Sequence, residues 1–400
     1  MNKSKEIILI DVSLTGGRGP SKQALSFIEY LIENDIYYTV ITDKGFSKKL
    51  SEIGIKPDYI VNTDLNDTEV KIIKKFQKVI EKIDYTFMVK FGARVAGPIA
   101  SRKLRKPYFI VDGGLPDFLT NKESLYERLT FEKAEKILVT TQFNWEYPKR
   151  TNLNNIEVVA YNLSKQDLIL IEKLTKLDKL SILDKYKNNI KGKIPTNRND
   201  FIFNLLMTGD FLKNIKDRKT YGGWLTSRQY DSCVGFVRRF ISDLTEITKK
   251  KVWIFVDKEI LEITSDLFIN NEKVIPLTFR KWGFETEVAM QAVADIIISR
   301  ATNYQQYVAL LCKGGSITSP VPADGYMDED SAGIQYYKLG LTKLINYDDE
   351  KYIFKLINFI NNKKRQSKIK SNLEDNLKFN FERNANRVLL ELMNIKLIKH

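Results

Sequence analysis

The chain is poor in the residues that most often carry chemistry by themselves. Of its 400 residues only Cys233 and Cys312 are cysteines, far apart and without metal-ligand spacing. That excludes a disulfide framework and a zinc knuckle. The single histidine is His400, which removes Ser-His-Asp catalysis, Cys-His catalysis and most histidine-rich metal sites. Any general base is then an aspartate or a glutamate. No uninterrupted apolar stretch reaches the length of a membrane span. The first apolar run ends at Asp11 with no small-residue cleavage site behind it, so no signal peptide is expected and the chain reads as cytoplasmic.

What is abundant is apolar and basic. A hydrophobic content of 43% is ample for buried cores, and the length favours two domains over one. The formal charge of +14 suits phosphate-rich ligands, an anionic membrane surface or nucleic acid, and equally a set of solvated helix faces. Much of the excess lies in KKRQSKIK (363–370) and in lysine-rich helices. The aromatic residues are not interleaved with lysine in any recognisable motif, so a dedicated nucleic-acid binder fits poorly.

Short continuous apolar runs recur through the first half: 6–12, 37–42, 58–61, 87–91, 108–112, 136–141 and 157–160. Amphipathic helices separate them, the first with Ala24, Phe27, Ile28 and Leu31 on one face. Alternating strands and helices predict a parallel sheet covered on both sides. Residues 163–200 are polar and helical and read as a connection. Strands then restart at 201–207, 252–256, 273–277, 295–299, 316–320 and 341–345, and the chain from about 350 reads as helix. The expected fold is α/β: two Rossmann-like domains with a helical C-terminal tail. Their bounds are an N-terminal domain over 1–162, a linker over 163–200, a second domain over 201–348 and a basic tail over 349–400. A cleft between the domains is the default ligand site.

One stretch has the shape of a phosphate site. In ADIIISRATNYQQYVALLCKGG (294–315) a buried strand ends at Ser299 and Arg300, and a polar turn leads into a helix that Thr302 or Asn303 can cap. A diphosphate there gains free backbone N–H groups, the helix dipole and a cation. Tyr304, Tyr307, Val308 and Leu311 form the apolar stripe, which leaves Gln305 and Gln306 to reach a ribose. A capped helix with no ligand explains the same residues. Thr208 and Gly209 end the first strand of the second domain, where Gly209 permits close approach. Asp328 and Glu329 lie in an acidic loop after a strand end, where sheet ligands gather. In the first domain GGRGPSK (16–22) lacks both the Gly-Lys-Thr ending of a nucleotide-triphosphate loop and the dinucleotide spacing.

These motifs in sequence resemble the glycosyltransferase-B fold. The stretch from Asp295 to Ile345 is similar to the donor half of the family that includes the peptidoglycan lipid-intermediate N-acetylglucosaminyltransferase. SRAT (299–302), a helix to Lys313, GGSITSP (314–320), the loop VPADGYMDED (321–330) and SAGIQYYKLGL (331–341) match that family's order of strand, helix, turn, strand, loop and helix. The resemblance implies two domains facing a cleft, with a nucleotide-diphospho-sugar as donor, a UDP-sugar first among them, and no metal or other cofactor. It implies donor-binding roles for Thr208, Gly209, Ser299, Arg300, Thr302, Asn303, Gln305, Gln306, Asp328 and Glu329. The acceptor-side loop would comprise Gly16, Gly17, Arg18, Gly19 and Ser21.

Two departures stand out. Val308 occupies the position where the family has a ribose-binding glutamate, and Pro20 the position of its histidine base. The replacement bases in view are Asp112 and Asp117 of VDGGLPD (111–117), and Asp11 at the end of the first strand. The expected activity is sugar transfer to an unidentified acceptor hydroxyl or amine. The alternatives are a non-catalytic partner of another transferase, or a nucleotide-sugar hydrolase or epimerase. A basic tail would suit a lipid-linked, membrane-surface or other anionic acceptor, with the protein peripheral at the inner membrane surface.

Overall fold

The computed structural model describes residues 7–13, 18–64, 67–92, 95–112, 125–140, 154–206, 227–256, 258–281, 283–299, 303–312, 315–321, 336–346, 351–377 and 384–395. Among these, residues up to Asp167 and from Leu377 onward form one compact unit, and Leu168 to Asn376 a second.

The first unit is built on seven parallel strands: β1 (Ile7–Asp11), β2 (Tyr37–Asp43), β3 (Tyr59–Val61), β4 (Phe87–Phe91), β5 (Tyr108–Asp112), β6 (Lys136–Thr140) and β7 (Ile156–Val159). Their order is β3-β2-β1-β4-β5-β6-β7. Between them run α1 (Arg18–Glu33), α2 (Lys44–Glu52), α3 (Glu69–Ile80), α4 (Ala96–Lys103) and α5 (Leu125–Glu132). Side chains alternate across the sheet, so each strand feeds two cores. Ile8, Ile10, Val89, Phe91, Phe109 and Val111 pack with Ala24, Phe27, Ile28 and Leu31 of α1. Leu9, Met88, Tyr108, Ile110, Ile137 and Val139 pack with Ile73, Phe76 and Ile80 of α3 and Ile99 of α4. Continuous apolar runs are the sequence form of that double burial.

The second unit repeats the plan. After α6 (Lys165–Thr175), which runs through the division between the units, come α7 (Lys179–Tyr186), β8 (Ile190–Lys191) and β9 (Phe201–Leu206). They are followed by α8 (Ser227–Ile247), β10 (Val252–Phe255), α9 (Lys258–Phe268), β11 (Val274–Phe279), α10 (Phe284–Val293), β12 (Ile296–Ser299) and α11 (Asn303–Leu311). The unit ends with β13 (Ser316–Val321), β14 (Lys343–Asn346), α12 (Tyr352–Ile360) and α13 (Lys363–Leu377). The strand order is β14-β13-β12-β9-β10-β11-β8, parallel except for β8, which pairs antiparallel with β11. Phe203 meets Phe240 of α8 edge to face at 5.8 Å on one side of the sheet. Phe255 stacks on Phe279 at 5.4 Å on the other, where Tyr186 of α7 abuts Phe279.

Two segments sit differently from the sequence reading. Residues 163–200, expected as a connection, are tied into the units they border. Ser164 Oγ accepts from Asp167 N at 3.1 Å to start α6. Lys179 Nζ reaches Asp295 Oδ2 at 2.7 Å, and Trp253 Nε1 donates to Lys193 O at 2.8 Å. The expected tail over 349–400 divides: α12 and α13 belong to the second unit, whereas α14 (Ala385–Leu392) belongs to the first. There Ala385, Leu389, Leu390 and Met393 join the α1 core, and Asn386 Nδ2 donates to Ser26 O at 3.2 Å. An amphipathic stripe states that a helix is buried, not against which partner.

Leu389 is fully buried. Leu389→Ala is therefore expected to lower the unfolding free energy by about 2–5 kcal/mol. Urea denaturation followed by circular dichroism checks this; a midpoint unchanged from wild type would show α14 to be a peripheral tail.

Candidate functional site

A doubly wound sheet binds ligands beyond the carboxyl ends of its strands, where the strand order reverses. The first unit reverses between β1 and β4, and the second between β9 and β12.

At the first reversal Asp11 and Lys90 are register partners across β1 and β4. Parallel partners share a face, so both side chains enter the layer under α4. Asp11 Oδ1 accepts from Ser13 N at 2.9 Å and from Ser13 Oγ at 2.5 Å. Lys90 Nζ lies 3.4 Å from the same oxygen and donates to Ser13 O at 2.5 Å and Oγ at 3.3 Å. The two side chains are 0% and 1% exposed. Asp11 Oδ2 has no partner and lies against Gly97 in the first turn of α4, where a Cβ would collide with it. Val95 gives α4 no side-chain cap. The carboxylate therefore places negative charge where the helix dipole favours it, and glycine at 97 allows the approach. Asp11, read as a candidate base, is held here as the anchor of Ser13 and Lys90. Lys90 escaped the sequence reading, although a lysine inside FMVKF, covered on both sides, was the available signal.

The start of α1 is polar and buried. Gly19 O accepts from Tyr161 Oη at 2.8 Å, and Ser21 is buried. Lys22 Nζ pairs with Asp167 Oδ1 at 2.7 Å, both side chains under one-tenth exposed. Gln23 Nε2 donates to Thr140 Oγ1 at the end of β6. Arg18 opens α1, and Asp112 ends β5. The side chains of both, with Gly16, Gly17 and Asp117, lie outside the described residues.

At the second reversal Ser299 closes β12 opposite Leu206 of β9, fully buried, and α11 opens at Asn303. Tyr307 and Val308 are buried, as their stripe predicts; burial pushes the Tyr307 phenol up to about 12. The valine at 308 thus has an apolar setting. Gln306, expected to reach a ribose, is instead fully buried, and neither its Oε1 nor its Nε2 has a partner. Two further amides share this condition: Asn204 in β9 and Gln291 in α10. Asn204 is in register with Phe255 and Ile297, which places it on the face that α10 covers, and α10 packs on both β9 and α11. Six polar atoms thus lie without partners in the layers behind the strand ends. Buried amides are normally bonded, so this is where water or a ligand group is called for. The sequence signal was present in part: Asn204 is the one polar residue of FIFNLL.

Thr208, Gly209, Arg300, Thr302, Asp328 and Glu329 lie outside the described residues, as do the side chains of Asn303 and Gln305. Among the described residues no group of three or more His, Cys, Asp or Glu side chains could hold a metal ion.

Removing one member of a buried ion pair leaves the other uncompensated and costs about 3–5 kcal/mol. Lys90→Met is expected to lower stability by that amount, and Asp11→Asn added to it to recover part of the loss. Chemical denaturation of the two variants reads this directly; Lys90→Met as stable as wild type would remove the pair from its structural role.

No family model matches the chain, and no curated protein matches it in sequence. Solved structures do match. The UDP-GlcNAc 2-epimerase from Neisseria meningitidis bound to UDP-GlcNAc aligns with a TM-score of 0.68 at 14% identity, over 98% of this chain and 100% of its own. MurG of Acinetobacter baumannii gives 0.58 at 12%, over 98% and 100%. Alr3699/HepE of Anabaena, in complex with UDP and glucose, gives 0.58 at 15% over the same shares. At such identities the likeness speaks for the backbone alone: the chain has the glycosyltransferase-B fold.

Proposed function

We propose that this chain binds a nucleotide-diphospho-sugar at the carboxyl end of the second sheet and transfers the sugar to an acceptor hydroxyl or amine. The observation that supports it is Gln306: a fully buried amide without a partner, one turn into the helix that opens at the strand-order reversal. A capped helix with no ligand would need no such group. The solved structures that hold UDP-GlcNAc or UDP add weight to a UDP-sugar as donor. The α11 N-terminus and Arg300 would stabilise the departing diphosphate as the glycosidic carbon–oxygen bond breaks. With Asp11 committed to Ser13 and Lys90, the proton from the acceptor falls to Asp112 or Asp117.

A second reading has its own support. The Neisseria epimerase aligns better than either of the other two structures, which favours chemistry on the donor itself, hydrolysis or epimerisation. Donor consumption without any acceptor separates the two. A non-catalytic partner of another transferase would bind a nucleotide and turn over nothing.

The first experiment is a thermal-shift series with UDP, GDP, CDP, ADP and dTDP and their sugars, on wild type, Arg300→Ala and Gln306→Leu. One nucleotide is expected to stabilise wild type, by about 2.7 kcal/mol at a hundredfold excess over its Kd. Both variants should lose that stabilisation, and Gln306→Leu without nucleotide should melt no lower than wild type. A wild type that responds to none of these ligands would end the nucleotide-sugar reading.

A further inference from the structure

We propose that the second unit carries an internal water site in the layer between β9 and α10, where the side chains of Asn204 and Gln291 hold about two bridging waters. The site does not rest on the nucleotide reading, which draws on Gln306, and no nucleotide enters its test.

Asn204 is the polar exception on an apolar sheet face. Its register partners are Phe255 on β10 and Ile297 on β12, and parallel partners share a face. Both partners are fully buried, as is Ile202, two residues before Asn204 on the same face. That face is the one α10 covers, since Phe255 lines the same apolar recess as Ala289 and Val293 of α10. The second amide comes from α10 itself. Gln291 is fully buried, and so are Val288 and Met290 close to it in the chain. Apolar neighbours of this kind bond neither amide. Each amide has an oxygen that accepts and a nitrogen that donates, and all four atoms are buried without a partner.

The chemistry of those atoms selects the occupant. A cation would satisfy the two oxygens and leave both nitrogens unmet, and an anion would do the reverse. A molecule that both donates and accepts meets all four, and in a layer packed at core density it must be small. Water has both properties. A buried water makes about three hydrogen bonds, so about two waters bonded to each other serve the four atoms. The layer is polar beyond the two amides. Glu287, one turn before Gln291 on the same flank of α10, is buried as well, and its charge adds to the burial that pushes the Cys312 thiol up. Polar surroundings keep internal water, whereas apolar cavities stay dry. The waters would tie α10 to β9 where the two side chains make no direct bond.

The test is urea denaturation of the full chain without nucleotide, for wild type, Asn204→Leu, Gln291→Met and the double variant. A crystal structure of the wild type, fine enough to show ordered solvent, accompanies it. Each single variant is expected to reduce the folding equilibrium constant on the order of tenfold, because it leaves the waters and the other amide short of bonds. The double variant should cost less than the two singles together, since both act on the same waters. Electron density for water within hydrogen-bond distance of both amides is expected. A single variant more stable than wild type overturns the proposal, because that is the result for an amide with no bond to lose. So does density that shows the two amides bonded directly to each other, or a layer without solvent. Should a variant fail to fold, the density decides.

Discussion

A parallel strand must be covered on both faces, and that constraint organises everything else in this chain. It forces helices onto each side of both sheets and leaves the strand ends as the only places where polar groups can gather. The consequences differ between the two reversals. At β1 and β4 the polar groups bond one another: Asp11 Oδ1, Ser13 and Lys90 are joined by hydrogen bonds under the α4 N-terminus. At β9 and β12 they do not, since Asn204, Gln291 and Gln306 each leave both amide atoms unpartnered.

That contrast bears on where a ligand belongs. Orphaned atoms occur in the first unit too, but Asp11, Gln23 and Asp167 each keep one atom in a hydrogen bond or ion pair. A buried polar group left wholly without a partner costs about 1–3 kcal/mol. Three such side chains in neighbouring layers call for water or a ligand group as partner.

The strands were legible in the sequence almost to the residue because double burial writes itself as an apolar run. FIFNLL and IIIS needed no partner to be recognised. What escaped depends on contacts distant in the chain. Strand β8 is two residues long and exists only through its pairing with β11. The amphipathic pattern of α14 predicts a buried face, but its place beside α1 follows from packing across more than three hundred residues, as the Asn386–Ser26 bond shows. Gln306 lies on the helix that its spacing predicts, but its burial does not follow from that spacing, which fixes a direction around the axis and says nothing of the layer beyond it.

Lys90 shows the same limit from the other side. A lysine in the middle of a strand costs far more to bury alone than any single apolar contact returns, so its presence in FMVKF demanded a nearby carboxylate. The sequence offers dozens of candidates, and only the register of β1 against β4 selects Asp11. Once that pairing is set, its neighbours follow in order. Ser13 must turn back to share the carboxylate, and α4 must start where its dipole meets it. Position 97 must then lack a side chain, since a Cβ there would strike Asp11. One ion pair thus fixes a strand register, a turn and a helix start. Asp11 therefore holds the carboxyl end of β1 in place.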